Sequence, residues 1–174
     1  MNNNLISNIV RFIILILLQV GLFKNIGYYN LVSPFPYILF ILLLPFRINN
    51  FTLYTLAFLT GLIVDAFYDS VGVHAAACVT LAWFRIFFHS ITLDVDDHES
   101  SKTPSWGNMG FKWFSTYVIF GTVVHHIALF FVEVFSFENI LNTLLSILLS
   151  SIFTIVIILT IGILTYQRKS RLAS

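Results

Sequence analysis

The chain has 174 residues, of which 58% are hydrophobic, 17% aromatic and 10% charged, and its formal net charge is +1. Soluble domains carry about 25% charged residues, and a mean hydropathy of +0.91 describes a surface that only a bilayer can solvate, so the composition argues against a soluble enzyme. A balance this near neutral offers no basic stripe for nucleic acid, whose binding rests on phosphate neutralisation and counterion release.

A helix needs about 20 apolar residues to cross roughly 30 Å of hydrocarbon, and six runs separated by polar or Gly/Pro punctuation are candidates. The first covers residues 5–23. It follows Met1-Asn2-Asn3-Asn4, with neither a charged leader nor a small-residue cleavage site, so it is expected to be a retained span. The second, 36–46, is short and bracketed by Pro34, Pro36 and Pro45; its length leaves open whether it spans fully or re-enters. The third covers 51–68, the fourth 73–93, the fifth 113–137 and the sixth 140–166. Between the fourth and fifth lies a cytoplasmic loop, 94–112, whose acidic, Ser/Thr/Pro-containing part from Asp94 to Ser105 cannot bury a core. The expected fold is all-α: a polytopic membrane helix bundle of about six transmembrane helices, with residues 1–174 forming a single domain.

Orientation follows from Lys and Arg. With Arg168, Lys169 and Arg171 inside, Lys102, Lys112 and Arg47 fall inside too, and Arg11 and Arg85 lie in the inner halves of their helices; of the nine basic residues only Lys24 falls outside. Both termini are therefore expected in the cytoplasm. Trp106 and Trp113 flank the inner end of the fifth span, where amphipathic rings favour the headgroup layer. Cys78 is the only cysteine, so no intramolecular disulfide and no cysteine-rich metal site can form.

A charge in hydrocarbon costs about 3 kcal/mol on insertion scales, so each one needs a partner or a function. Asp65 stands in Gly61-Leu-Ile-Val-Asp65-Ala-Phe-Tyr-Asp69-Ser-Val-Gly72-Val-His74. Gly61 and Asp65 share a helix face, and the glycine lets a neighbour approach. Asp65 is therefore expected to face the bundle or a partner helix, and the Gly61–Asp65 face, joined through Gly72 to Ala75-Ala76-Ala77, to offer a lateral interface. The plainer alternative puts Asp65 at the outer interface, solvated or bonded to a helix N-terminus. Asp69 or Ser70 is expected to cap the fourth span. His74 falls near Asp65 in depth, but without metal-ligand spacing. Arg85 and Arg11 point to the inner half of the bundle, where snorkelling to lipid phosphates is the simple alternative for each. His125, His126 and Glu133 suggest a proton relay, against which stands the use of histidines as interhelical hydrogen-bonding groups. No Ser/His/Asp elbow, Gly-rich phosphate loop or H-E-x-x-H occurs, so no catalysis, cofactor or metal is expected.

Three stretches taken together carry a resemblance. They are Arg11-Phe-Ile-Ile-Leu-Ile-Leu-Leu-Gln19-Val-Gly-Leu-Phe23, Pro36-Tyr-Ile-Leu-Phe-Ile-Leu-Leu-Leu-Pro45-Phe46, and Gly61-Leu-Ile-Val-Asp65 with Gly72-Val-His74-Ala-Ala. In order, spacing and chain length the sequence resembles the rod-shape-determining MreD family of bacterial inner-membrane proteins. The resemblance implies a non-enzymatic scaffold of the cell-elongation machinery, set among membrane lipids beside the bitopic protein MreC. Such a scaffold links cytoplasmic MreB filaments to the enzymes of peptidoglycan synthesis and takes no small-molecule ligand. It also implies a distant likeness to transporter S-components, which supplies a second reading: a substrate-binding subunit of a vitamin or metal transporter, with Asp65, Asp69, His74 and Glu133 around an outer pocket. A third, a proton-coupled transporter, rests on His125, His126 and Glu133 alone.

Overall fold

The computed structural model describes residues 2–26, 32–93, 103–134 and 140–165, with side chains from Ile6 onward. The acidic stretch 94–102 and the basic Arg168, Lys169 and Arg171 lie outside the described residues. In chain order the elements are α1 (Asn2–Gly21), a 3-10 turn (Phe23–Asn25), a second 3-10 turn (Pro36–Ile38) running into α2 (Leu39–Leu42), α3 (Asn50–Tyr68), α4 (Val73–Thr92), α5 (Trp106–Met109), α6 (Phe111–Val134) and α7 (Ile140–Leu164). No β-strand occurs among the described residues. Five helices, α1, α3, α4, α6 and α7, are long and apolar enough to cross a membrane, and the protein is an all-α helical membrane bundle.

The expected second span differs from the rest. Its helical part, residues 36–42, is about 12 Å long, against about 30 Å of hydrocarbon. Proline is the physical reason: Pro34 and Pro36 lack N–H donors and keep the residues before them out of the helical region. Pro45 removes a further donor just beyond α2. The segment nevertheless runs along the bundle. Near one end Gln19 Nε2 donates to Pro34 O at 3.1 Å and to Tyr68 Oη at 2.7 Å. Near the other, Leu43 O accepts from Arg11, which lies about 12 Å back along α1 from Gln19.

The remaining helices obey the same two levels. Tyr117 of α6 reaches Leu42 O, and His125, two turns on, reaches Tyr37. Ser150 and Thr154 of α7 reach Ser33 and Phe35, while Gly162 lies against Phe114. The chain thus travels the bundle axis six times in alternating directions, helically in five passes and as a proline-broken segment in the second. Phe35 and the run from Tyr37 to Leu42 are at most 6% exposed, which is where irregular backbone can sit at membrane depth.

Local signals close the remaining corners. Asn49 caps α3 by accepting from Phe51 N–H at 2.9 Å. The α3–α4 turn reverses through Asp69 at φ 55 and Gly72 at φ 79, the left-handed conformation that glycine adopts freely. The end of the expected 94–112 loop is partly helical, with α5 at Trp106–Met109 and α6 starting at Phe111.

Ser7 of α1 and Thr165 beyond α7 line one cleft, so the first and last helices begin and end at the same end of the bundle. Reporter domains fused to the N- and C-termini are expected to signal from the same side of the membrane. Opposite signals would contradict the six-pass path.

Candidate functional site

Asp65 is the centre of the α3–α4 corner. The first amides of a helix have no intrahelical acceptor, and Gly72, preceding α4, has no side chain to offer. Asp65 supplies it from the end of α3. Its Oδ1 accepts from His74 N–H at 2.9 Å and from the Ser70 hydroxyl at 2.6 Å, and its Oδ2 accepts from Ala75 N–H at 3.0 Å. A carboxylate here also faces the positive end of the α4 dipole. The expected cap from Asp69 or Ser70 is corrected: Asp69 terminates α3, and Ser70 spends its hydroxyl on Asp65.

Gly61 makes that reach achievable. A Cβ at this position would lie 2.4 Å from Ala75 Cα and 2.5 Å from His74 O, so the α3 backbone rests directly on the first turn of α4. The Gly61–Asp65 face and Ala75 therefore pack within the chain: of the two expectations for Asp65 the bundle holds, and the lateral partner interface on this face is corrected. Asp65 is 4% exposed, which also rules out the solvated interfacial alternative while keeping its helix-terminus half.

Several other buried polar groups converge on the second pass. Ser33 N–H donates to Ser150 Oγ and Phe35 N–H to Thr154 Oγ1, both at 3.0 Å. Pro34 O takes Gln19, and Leu42 O takes the Tyr117 hydroxyl at 3.2 Å. Arg85, 1% exposed, donates through Nη2 to Leu44 O at 2.6 Å and Pro45 O at 2.9 Å. Arg11, half-buried, donates through Nη1 to Asn8 Oδ1 at 3.0 Å and more weakly to Leu43 O at 3.4 Å. The snorkelling alternative is thereby corrected for Arg85, whose guanidinium is enclosed by the carbonyls beyond α2.

His74, His125 and His126 surround Phe35, with ring centroids 5.2, 6.3 and 5.5 Å from its own. The Tyr37 hydroxyl lies 3.0 Å from both His74 Nδ1 and His125 Nε2; having one proton, it donates to one ring and accepts from the other. For His126 the tautomer follows from the network. Thr122 O, 2.8 Å from Nδ1, can only accept, so Nδ1 carries the proton and Nε2 accepts from the Thr154 hydroxyl at 3.2 Å. Thr154 in turn accepts from Phe35 N–H. His125 Nδ1 has no hydrogen-bond partner among the described residues, and Glu133 lies on the exposed surface of α6. The imidazoles and Glu133 are not brought together as a relay.

Of the sequence-derived candidates, the structure joins Gly61, Asp65, Gly72 and His74 at one corner and Arg11 and Arg85 at the opposite level. Gln19, Tyr37, Tyr117, Ser150 and Thr154 were not singled out as functional by sequence. The spacing of Ser150 and Thr154, four apart on one face of α7 in a polar row that Thr143 and Ser146 extend, is the signal that marks them. Among the described residues no group of three or more His, Cys, Asp or Glu side chains is placed to hold a metal. Cys78 is buried with Sγ 3.7 Å from Tyr37 Oη. Comparisons with protein-family models, curated proteins and solved structures give no match.

Asp65→Ala strands two buried amides, each costing about 1–3 kcal/mol, whereas Asp69→Ala places alanine in a left-handed conformation at a cost of about 1–2 kcal/mol. Thermal unfolding in detergent should show the larger loss for Asp65→Ala, with Gly61→Ala also destabilising because the clash is with backbone. Equal, small shifts for the two aspartate variants would contradict the capping role.

Proposed function

We propose that the chain is a non-enzymatic inner-membrane scaffold of the MreD type, with both termini in the cytoplasm and a bitopic, MreC-like protein as its partner. Through that partner it connects cytoplasmic MreB filaments to peptidoglycan synthesis. The observation that carries this reading is where the polar groups go: Asp65, His74, Arg85, Ser150 and Thr154 are engaged with backbone or with one another. Among the residues of the stretches that carry the resemblance, Gln19, Gly61, Asp65 and His74 belong to this frame. Side chains so engaged suit a rigid framework whose outward contacts are lateral.

Those contacts belong on exposed apolar helix faces rather than on the Gly61–Asp65 face. Trp83 and Phe87 of α4 stack at 5.8 Å and stand about half exposed, with Ile91 beyond them, which offers a rigid surface for close packing in a bilayer. The transporter-subunit reading needs an outer pocket around Asp65 and His74, and both are engaged in the α3–α4 corner.

Affinity purification of the tagged chain from native membranes is expected to recover a single-span periplasmic protein and wall-synthesis enzymes. Deleting residues 99–105 should reduce that recovery without abolishing it. Recovery of a tightly bound vitamin or metal together with a transport ATPase would instead favour the transporter-subunit reading, and loss of the partner on loop deletion would place docking in the loop.

A further inference from the structure

α1 and α7 each pack on the second pass, but no comparable contact joins them to one another. The seam between them opens into two clefts of different chemistry. One, of about 400 Å³, is bounded by Ile26, Val32, Leu149 and Phe153 and is almost purely apolar. The other, of about 720 Å³, lies at the end where α1 begins and α7 finishes.

This larger cleft is graded along its length. Ser7, Arg11, Ser105 and Asn108 stand at its polar part, while Val10, Ile14, Leu18 and Ile161 line its apolar part. Among the described residues no acidic side chain lines it. The carboxylates of the described residues, Asp65, Asp69 and Glu133, sit at the ends of α3 and α6, at the opposite end of the bundle. Among the described residues Arg11 Nη1 donates to neutral oxygens, those of Asn8 and Leu43. Arg11 is the one charged side chain among the described lining residues. Arg11 lies about 7.5 Å along α1 from Ile6, where the apolar span starts, within snorkelling distance of the headgroup layer.

We infer that this cleft binds one anionic phospholipid, with its phosphate at Arg11 and an acyl chain lying along Val10, Ile14, Leu18 and Ile161. The volume falls within the roughly 300–1,000 Å³ of small-molecule sites. An apolar partner helix would leave the Arg11 guanidinium unanswered, whereas a phosphate oxygen accepts from it. Free phosphate would leave the apolar part unused. The inference is independent of the scaffold reading, since it requires only a membrane around the bundle.

The test is native mass spectrometry of the purified full chain with added phosphatidylglycerol or phosphatidylcholine of identical acyl chains. Wild type is expected to retain phosphatidylglycerol about tenfold more strongly, as a charge-assisted contact provides, and excess inorganic phosphate should not compete. Arg11→Gln keeps an amide donor for Leu43 O and should abolish the preference between the two lipids. Ile14→Trp, at a half-exposed position, should fill the cleft and weaken retention of both without lowering the unfolding temperature. Equal retention of the two lipids by wild type, retention unchanged in both variants, or displacement by inorganic phosphate would overturn the proposal. So would a polypeptide cross-linked from position 14 in native membranes.

Discussion

Backbone N–H and C=O groups between Ser33 and Pro45 cannot all pair within their own segment, because prolines interrupt it at both ends, and in hydrocarbon each unpaired group costs several kcal/mol. The remaining architecture follows from meeting that demand. α1 brings Gln19 and Arg11, α4 brings Arg85, α6 brings Tyr117, and α7 brings Ser150 and Thr154. Residues that would be costly as isolated polar groups in lipid become favourable once each answers a carbonyl or an amide. The long helices enclose the broken pass, and the broken pass gives their polar residues partners.

The two arginines illustrate how one demand fixes two solutions. α2 ends after four residues, so its last carbonyls lack the amides a continuing helix would supply. Arg85 is fully enclosed and gives both of its described bonds to the carbonyls of Leu44 and Pro45. Arg11 contributes only a long contact to Leu43 and stands at the rim of an open cleft. Depth thus separates a structural guanidinium from one with capacity left over for a lipid phosphate.

Hydropathy made five helices legible. The second pass was visible as a proline-bounded run, but its interior position was not, because an apolar run reads alike whether it faces lipid or protein. Gly61 and Asp65 were legible as a close approach beside a carboxylate. Which helix approaches depended on the α3–α4 turn, and a four-residue separation cannot say whether the neighbour lies within the chain or outside it. Ser150 and Thr154 were hidden for another reason: a hydroxyl on a membrane helix can bond to its own preceding turn, as Thr160 does with Val156 O, so sequence does not reveal when it reaches elsewhere.

Residue-resolved hydrogen exchange in lipid nanodiscs tests the central claim most directly, because it reads the amides of the second pass themselves. The account predicts that Ser33 and Phe35 amides exchange as slowly as those within α3, and that Thr154→Val speeds Phe35 selectively by removing its acceptor. Exchange across residues 33–45 at the rate of an open loop, with no response to Thr154→Val, would contradict it.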